Sequence, residues 1–161
     1  MSLFDRRERI FLITPVFVAN NFLKRGRAEN VAITPLKLQK LVYFLYREYY
    51  KRTDELLFSE RFETWKYGPV VPSIYAEFSS YGNNEIKSYA TDSRGKCFVV
   101  TEDGVFKESI DKVWAIYGGH SGEVLSALTH KEGTAWTKAK DAQKKYLNLD
   151  DIKKEEELYA G

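Results

Sequence analysis

The chain has 161 residues, 43% hydrophobic and 30% charged, which is enough for one domain with a sizeable core and unlike a disordered segment. Its single cysteine, Cys97, excludes an internal disulfide and a cysteine-rich metal site, and points to a reducing cytoplasm. The net charge of +2 hides an asymmetry: residues 1–52 hold 11 Lys/Arg against 4 Asp/Glu, and residues 53–161 hold 14 against 19, so a basic first third is offered to an acidic partner or to solvent alone.

In chain order, Met1 to Glu8 lacks the apolar core of a signal peptide. The apolar run Arg9–Ile13 is too short to assign. Thr14-Pro15 is a helix start, because a threonine hydroxyl accepts from an orphan N–H of the first turn and proline loses nothing at the first helical position. The spacing then predicts a helix from Pro15 to about Arg25, burying Val16, Val18, Ala19, Phe22 and Leu23 and ending at Gly26. Thr34-Pro35 repeats the device, so the two helices are predicted to form an antiparallel pair. Apolar residues follow at 38, 41, 42, 45, 46 and 49, with Phe44 and Tyr50 off that stripe. A helix apolar over more than half its circumference belongs at the centre of the domain. It ends near Arg52-Thr53-Asp54.

Leu57 and Phe58 are predicted to tuck under the next loop. Residues 61–67 favour a strand, which Gly68-Pro69 breaks. Pro72 opens a helix with Ile74, Tyr75 and Phe78 inward and Gly82 as its stop. Ile86–Ala90 and Lys96–Val100 read as a hairpin across residues 91–95. Thr101 is predicted to cap a helix that buries Phe106, Ile110, Val113, Trp114 and Tyr117 and stops at Gly118-Gly119. Ser121 starts another helix, carrying Val124, Leu125 and Leu128, and Thr134 caps a short one around Trp136. The last helix is predicted from Asp151 to Tyr159, with Lys153-Lys154-Glu155-Glu156-Glu157 as a solvated face. The fold expected is mainly α with a small antiparallel β element, an α+β class, in one compact helical domain over residues 1–161. No apolar run approaches the ~20 residues that span a membrane.

Catalytic signatures are missing from the pattern. The chain has no phosphate-binding loop, dinucleotide glycine fingerprint, His-Glu-x-x-His motif or Gly-x-Ser-x-Gly elbow. His120 and His130 are not at ligand spacing, and Cys97 is remote from both in sequence, so no metal and no cofactor is predicted. His130 with Glu132 is the one candidate acid/base pair, although such a pair is more often a helix-end hydrogen-bond group. No enzymatic role is expected. Lys37, Lys40, Arg47 and Lys51, with Tyr43 and Phe44 interleaved, form a pattern that nucleic-acid binding would use. It is equally that of a helix whose aromatics are buried while its lysines solvate the outer face, and this second reading is favoured. Trp65, Tyr67, Trp114 and Trp136 read first as core residues. Trp65 and Tyr67 flank the Gly-Pro break, where loops present side chains to partners.

These residues resemble a known family. Thr34-Pro35-Leu36-Lys37-Leu38-Gln39-Lys40-Leu41-Val42-Tyr43 is similar to the signature of the Panacea domain, also called the SocA-like antitoxin or phage-associated GepA-like family. Leu57-Phe58, then Trp65-Lys66-Tyr67-Gly68-Pro69-Val70, Tyr75, Tyr81-Gly82, Trp114, Tyr117-Gly118, and Leu128-Thr129-His130 with Glu132 and Trp136 follow in the family's order, over about residues 14–142. The family often places a proline just before the last tryptophan, where this chain has Thr134-Ala135. The resemblance implies a cytoplasmic, frequently prophage-borne antitoxin of a toxin–antitoxin system. Its partner would be a cognate toxin encoded by the adjacent gene, in some members an alarmone-synthetase-like enzyme that attacks translation. Neutralisation would go by direct protein–protein interaction; the alternatives are delivery of the toxin to a Clp-type protease and operon regulation through nucleic acid. The candidate partner-binding residues are Lys37, Lys40 and Arg47 on the basic helix and Trp65, Tyr67, Gly68, Pro69 and Val70 at the Gly-Pro break.

Overall fold

A computed structural model describes residues 13–159; residues 9–12 of the Arg9–Ile13 run, and Met1 to Glu8, lie outside them. Helix α1 runs Pro15–Glu29 and α2 runs Pro35–Thr53. Both begin as their sequences dictate: Thr14 accepts from the Phe17 N–H and Thr34 from the Lys37 N–H, each at 3.3 Å, with proline at the first position. Strands β1 (Glu63–Trp65) and β2 (Gly68–Val70) form a small antiparallel sheet, followed by α3 (Pro72–Phe78) and a 3-10 turn. Helices α4 (Gly104–Tyr117), α5 (Gly122–Thr129), α6 (Ala135–Asp141) and α7 (Leu149–Lys154) complete a mainly helical α+β fold.

Helix α2 is the hub. It packs against α1, α3, α4, α5, α7 and β2. From Lys37 to Glu48 every residue on it is buried, so the apolar stripe and the off-stripe Phe44 are both enclosed. Phe44 stacks on Tyr117 of α4 with ring centroids 4.1 Å apart, and Tyr43 and Tyr46 meet Phe62 edge to face. Leu57 and Phe58 lie under the connection as predicted.

Gly26 does not end α1. It is buried within the helix, where an added Cβ would lie 2.8 Å from the Val31 carbonyl oxygen and 2.9 Å from Ile33. The left-handed C-terminal position belongs instead to Asn30 (φ 57°), and the Val31 N–H returns to the Gly26 carbonyl at 2.8 Å. The glycine serves a close approach of the following chain.

Residues 86–100 are not a hairpin. Only an isolated bridge joins Thr91 to Cys97. Two buried asparagines of α1 take the place of a strand ladder. The Asn20 side chain accepts from the Ala90 N–H and donates to the Ala90 and Phe98 carbonyls, and the Asn21 side chain does the same for both backbone groups of Val100. Backbone groups that a sheet would have paired are thus paired by side chains 70–79 residues earlier in the chain. Asn20 and Asn21 are functional parts of the fold that periodicity alone marks only as polar residues on a buried face.

Other boundaries shift locally. Asp103, not Thr101, occupies the cap position of α4, with no side-chain capping bond. Ser121 and Thr134 cap α5 and α6 as predicted. Tyr75 points outward rather than inward, and Val124 of α5 is exposed. Helix α7 begins after its cap Asn148 and stops at Lys154, so residues 155–159 are not helical, and Glu155 and Leu158 turn inward. No helix among the described residues is long and apolar enough to cross a membrane.

Candidate functional site

The chemistry of the hairpin starts with its turn. Residues 63–65 pair with 70–68 in register, leaving Lys66 and Tyr67 as a two-residue connection. Gly68-Pro69 therefore opens the second strand rather than breaking the first. Neither turn residue has a positive φ; Gly68 does, at +116°. A Cβ on Gly68 would lie 2.6 Å from Thr129 Oγ1 and 2.8 Å from Lys40 Cε, so the hairpin sits directly on α2 and α5. The Ser126 hydroxyl of α5 donates to the Tyr67 carbonyl at 2.6 Å.

The two candidate groups of the sequence meet here, in a way the sequence did not lead one to expect. Lys40 is 0% exposed, and its ammonium donates to the Pro69 carbonyl at 3.1 Å. It props the hairpin from below. Lys37 is buried too and donates to the Gly118 carbonyl at the end of α4, at 2.6 Å. Arg47, 2% exposed, pairs with Glu155 at 2.8 Å and donates to the Tyr117 hydroxyl at 3.0 Å. None of the three solvates an outer face. Each long side chain reaches a backbone carbonyl or a carboxylate that would be unsatisfied without it, which makes burial tolerable. Lys51 is exposed, and Tyr43 and Phe44 are buried, so the pattern that suggested nucleic acid is largely interior.

At the Gly-Pro site the placement is divided. Gly68, Pro69 and Val70 are buried as the second strand of the hairpin; Trp65 is half-buried and Tyr67 is 59% exposed at the tip. The outer face of β1 carries Glu63 and Trp65, because alternate residues of a strand share a face. Trp65 meets the exposed Tyr75 ring edge-on, 4.8 Å between centroids, and its indole N–H donates to Glu63 at 3.1 Å. Trp136, buried, donates to the Trp65 carbonyl from below at 2.8 Å. Lys66, Lys140 and Lys145 stand over the Tyr67, Trp136 and Tyr146 rings. An aromatic surface edged by cations, fixed on the rigid hub, suits recognition of another protein.

The His130 ring stacks on Trp136, with centroids 3.9 Å apart, and its Nε2 is buried without a partner. Burial and the nearby Lys40 and Lys140 push the imidazole below its usual range. No hydrogen bond or ion pair joins it to Glu132 among the described residues, which also hold no group of three or more His, Cys, Asp or Glu that could bind a metal.

Burial pushes the Lys40 ammonium down to about 7. A lysine in the unfolded chain titrates near pH 10.4. Between these values the unfolded state holds more protons than the native one, so this group's contribution to stability rises with pH from about 7 to about 10. Burial of the Tyr43 and Tyr46 hydroxyls pushes both upward, so their contribution is lost above roughly pH 10. Calorimetric melts of the native chain and of Lys40→Met across pH 7–9.5 are expected to differ in slope. The native chain should gain stability relative to the variant by an amount on the order of a few kcal/mol across that window. Parallel curves would show that Lys40 is not titrating in its buried position.

The model of the family described as "Antitoxin SocA-like, Panacea domain" matches residues 38–137, which takes in α2 from its first turn, the hairpin, α3 to α5 and the start of α6. The chain is 33% identical over 124 residues to Antitoxin SocA of Caulobacter vibrioides (strain NA1000 / CB15N), a match covering 74% of this chain and 66% of that protein. No solved structure matches the chain. The matched stretch includes Lys40, Arg47, Trp65, Tyr67 and Gly68 but neither Tyr146 nor Glu155.

Proposed function

Since the chain belongs to the SocA-like antitoxin family with its Panacea domain, we infer that it is an antitoxin that neutralises a cognate toxin by direct protein–protein binding. The family match across the hub helix and the hairpin carries this reading. The cation-edged aromatic face over β1, with Trp65, Tyr67 and Tyr75, supports it by offering a surface for a protein partner. The Lys37, Lys40 and Arg47 side chains contribute by holding the scaffold of that surface, and Tyr67 and Trp65 by touching the partner. The toxin is the product of the adjacent gene, a translation-targeting enzyme of the alarmone-synthetase-like kind.

The test is co-expression of this chain with the adjacent gene's product in bacteria, scoring growth and then co-purification. Rescued growth with a stoichiometric complex is the expected result. Rescue with disappearance of the toxin, abolished in a protease-deficient host, would replace inhibition by delivery to a Clp-type protease. Absence of both rescue and binding would overturn the antitoxin reading.

A further inference from the structure

The small sheet has a third member that its named strands do not include. Residues 145–147 run antiparallel to β1: the Thr64 N–H donates to the Lys145 carbonyl at 2.8 Å and the Leu147 N–H to the Phe62 carbonyl at 3.0 Å. Glu63 and Tyr146 face each other between these two bonds, as a non-hydrogen-bonded pair. In such a pair the backbone N–H and C=O of each residue point away from the other. Those of Glu63 point to Val70 on β2. Those of Tyr146 point to the outer edge, and among the described residues nothing bonds to them.

The two edges of the sheet are treated differently. On the β2 side the edge is plugged: Pro69 has no N–H, its carbonyl accepts from Lys40, and the Gln39 amide takes both the N–H and the carbonyl of Val71, at 3.0 and 3.1 Å. On the Tyr146 side the edge is open. An open edge is a template for another strand, and lysines beside it turn away a like-charged edge while leaving it available to an acidic one.

The surroundings of the open edge say what kind of strand it takes. Lys66, Lys140, Lys144 and Lys145 are exposed there, and among the described residues none of them pairs with a carboxylate. Tyr146, 44% exposed, lies on the same face as Glu63 and Trp65, with the Arg61 guanidinium 5.8 Å from its ring centroid. We propose that the edge formed by Lys145–Leu147 receives an extended, acidic segment of the toxin by strand addition, with Tyr146 supplying the backbone hydrogen bonds and the lysines the charge. This rests on the antitoxin reading above. A second copy of this chain is the poorer occupant, because edge-to-edge pairing would set lysine against lysine. A nucleic acid matches the charge but offers no strand to the Tyr146 N–H and carbonyl.

The experiment uses the full chain and the adjacent gene's product. Amide exchange is followed in free and complexed antitoxin, and affinity is measured for Tyr146→Pro and for Lys144→Glu with Lys145→Glu. Proline removes the outward N–H, which has no internal use. The expected results are slowed exchange at Tyr146 in the complex, and at least a tenfold weaker complex for each variant with unchanged melting. Should Tyr146→Pro unfold, the charge-reversal variant and the exchange measurement decide. Unchanged Tyr146 exchange in an intact complex would overturn the edge proposal and leave the antitoxin reading standing. A self-associating chain whose dimer is lost in Tyr146→Pro would overturn it in favour of a second copy, and DNA binding lost on charge reversal in favour of nucleic acid. No complex with the unaltered chain would overturn both readings together.

Discussion

Glu155→Ala is expected to destabilise the protein by roughly 3–5 kcal/mol, the cost of leaving a buried charge without its partner. Glu155 is the point where three distant elements meet. One carboxylate oxygen accepts from the Tyr43 hydroxyl at 3.1 Å and from the Ala135 N–H at 2.9 Å, and the other from Arg47 at 2.8 Å. The side chains of the ion pair are 2% and 3% exposed, so solvent cannot replace what alanine removes. Truncation strands the Arg47 guanidinium, whose Nε already has no partner, and opens an orphan N–H at the start of α6. For a chain of this length the loss corresponds to a fall in Tm of roughly 6–20 °C, read by calorimetry. Replacing both partners, as Arg47→Met with Glu155→Leu, should recover much of the loss, because an apolar pair carries no desolvation penalty. A single substitution that leaves Tm within about 2 °C would mean that water reaches Arg47 in its place.

The same residue shows where reading a sequence stops. Within Lys153-Lys154-Glu155-Glu156-Glu157 nothing local distinguishes Glu155 from its neighbours. What singles it out is Arg47, 108 positions earlier. Thr14-Pro15 and Thr34-Pro35 were legible because a cap is satisfied by atoms three residues away. The apolar faces of α2 and α4 were legible because burial on a helix has a period. Lys37, Lys40 and Arg47 were misplaced by the ordinary expectation that charge lies outside, which fails where a long cation reaches a backbone carbonyl or a carboxylate in the interior. Residues 86–100 were misplaced because alternation predicts a strand and cannot see the two asparagines that would substitute for its partner. In the candidate site the aromatic pair Trp65 and Tyr67 could be picked out from the turn chemistry beside them. Tyr146 could not, since its open edge exists only once Lys145 and Leu147 have paired with Thr64 and Phe62.

Gly68→Ala is the second substitution with a large expected effect, about 2–4 kcal/mol of stability with a disturbed hairpin. Two physical terms contribute, and they can be separated. A φ of +116° is strained for any side chain, whatever space surrounds it. The added methyl would also lie 2.6 Å from Thr129 Oγ1 and 2.8 Å from Lys40 Cε. Lys40 cannot yield easily, because its ammonium is bonded to the Pro69 carbonyl and it is buried on all sides. Thr129 is held by its own bond to the Ser126 carbonyl at 2.7 Å. The chain must therefore lift the hairpin off α2 and α5, which moves Tyr67 and Trp65 together and breaks the contact of Ser126 with the turn. Removing the closer obstacle by Thr129→Ala should restore part of the stability in the double variant, with a coupling of roughly 1 kcal/mol, and leave the φ strain in place. Partner affinity should follow the hairpin rather than the melt. If the double variant regains stability and affinity together, the position of the β1 face is what the partner reads. Regained stability without regained affinity would mean that the remaining φ strain still holds the β1 face out of position.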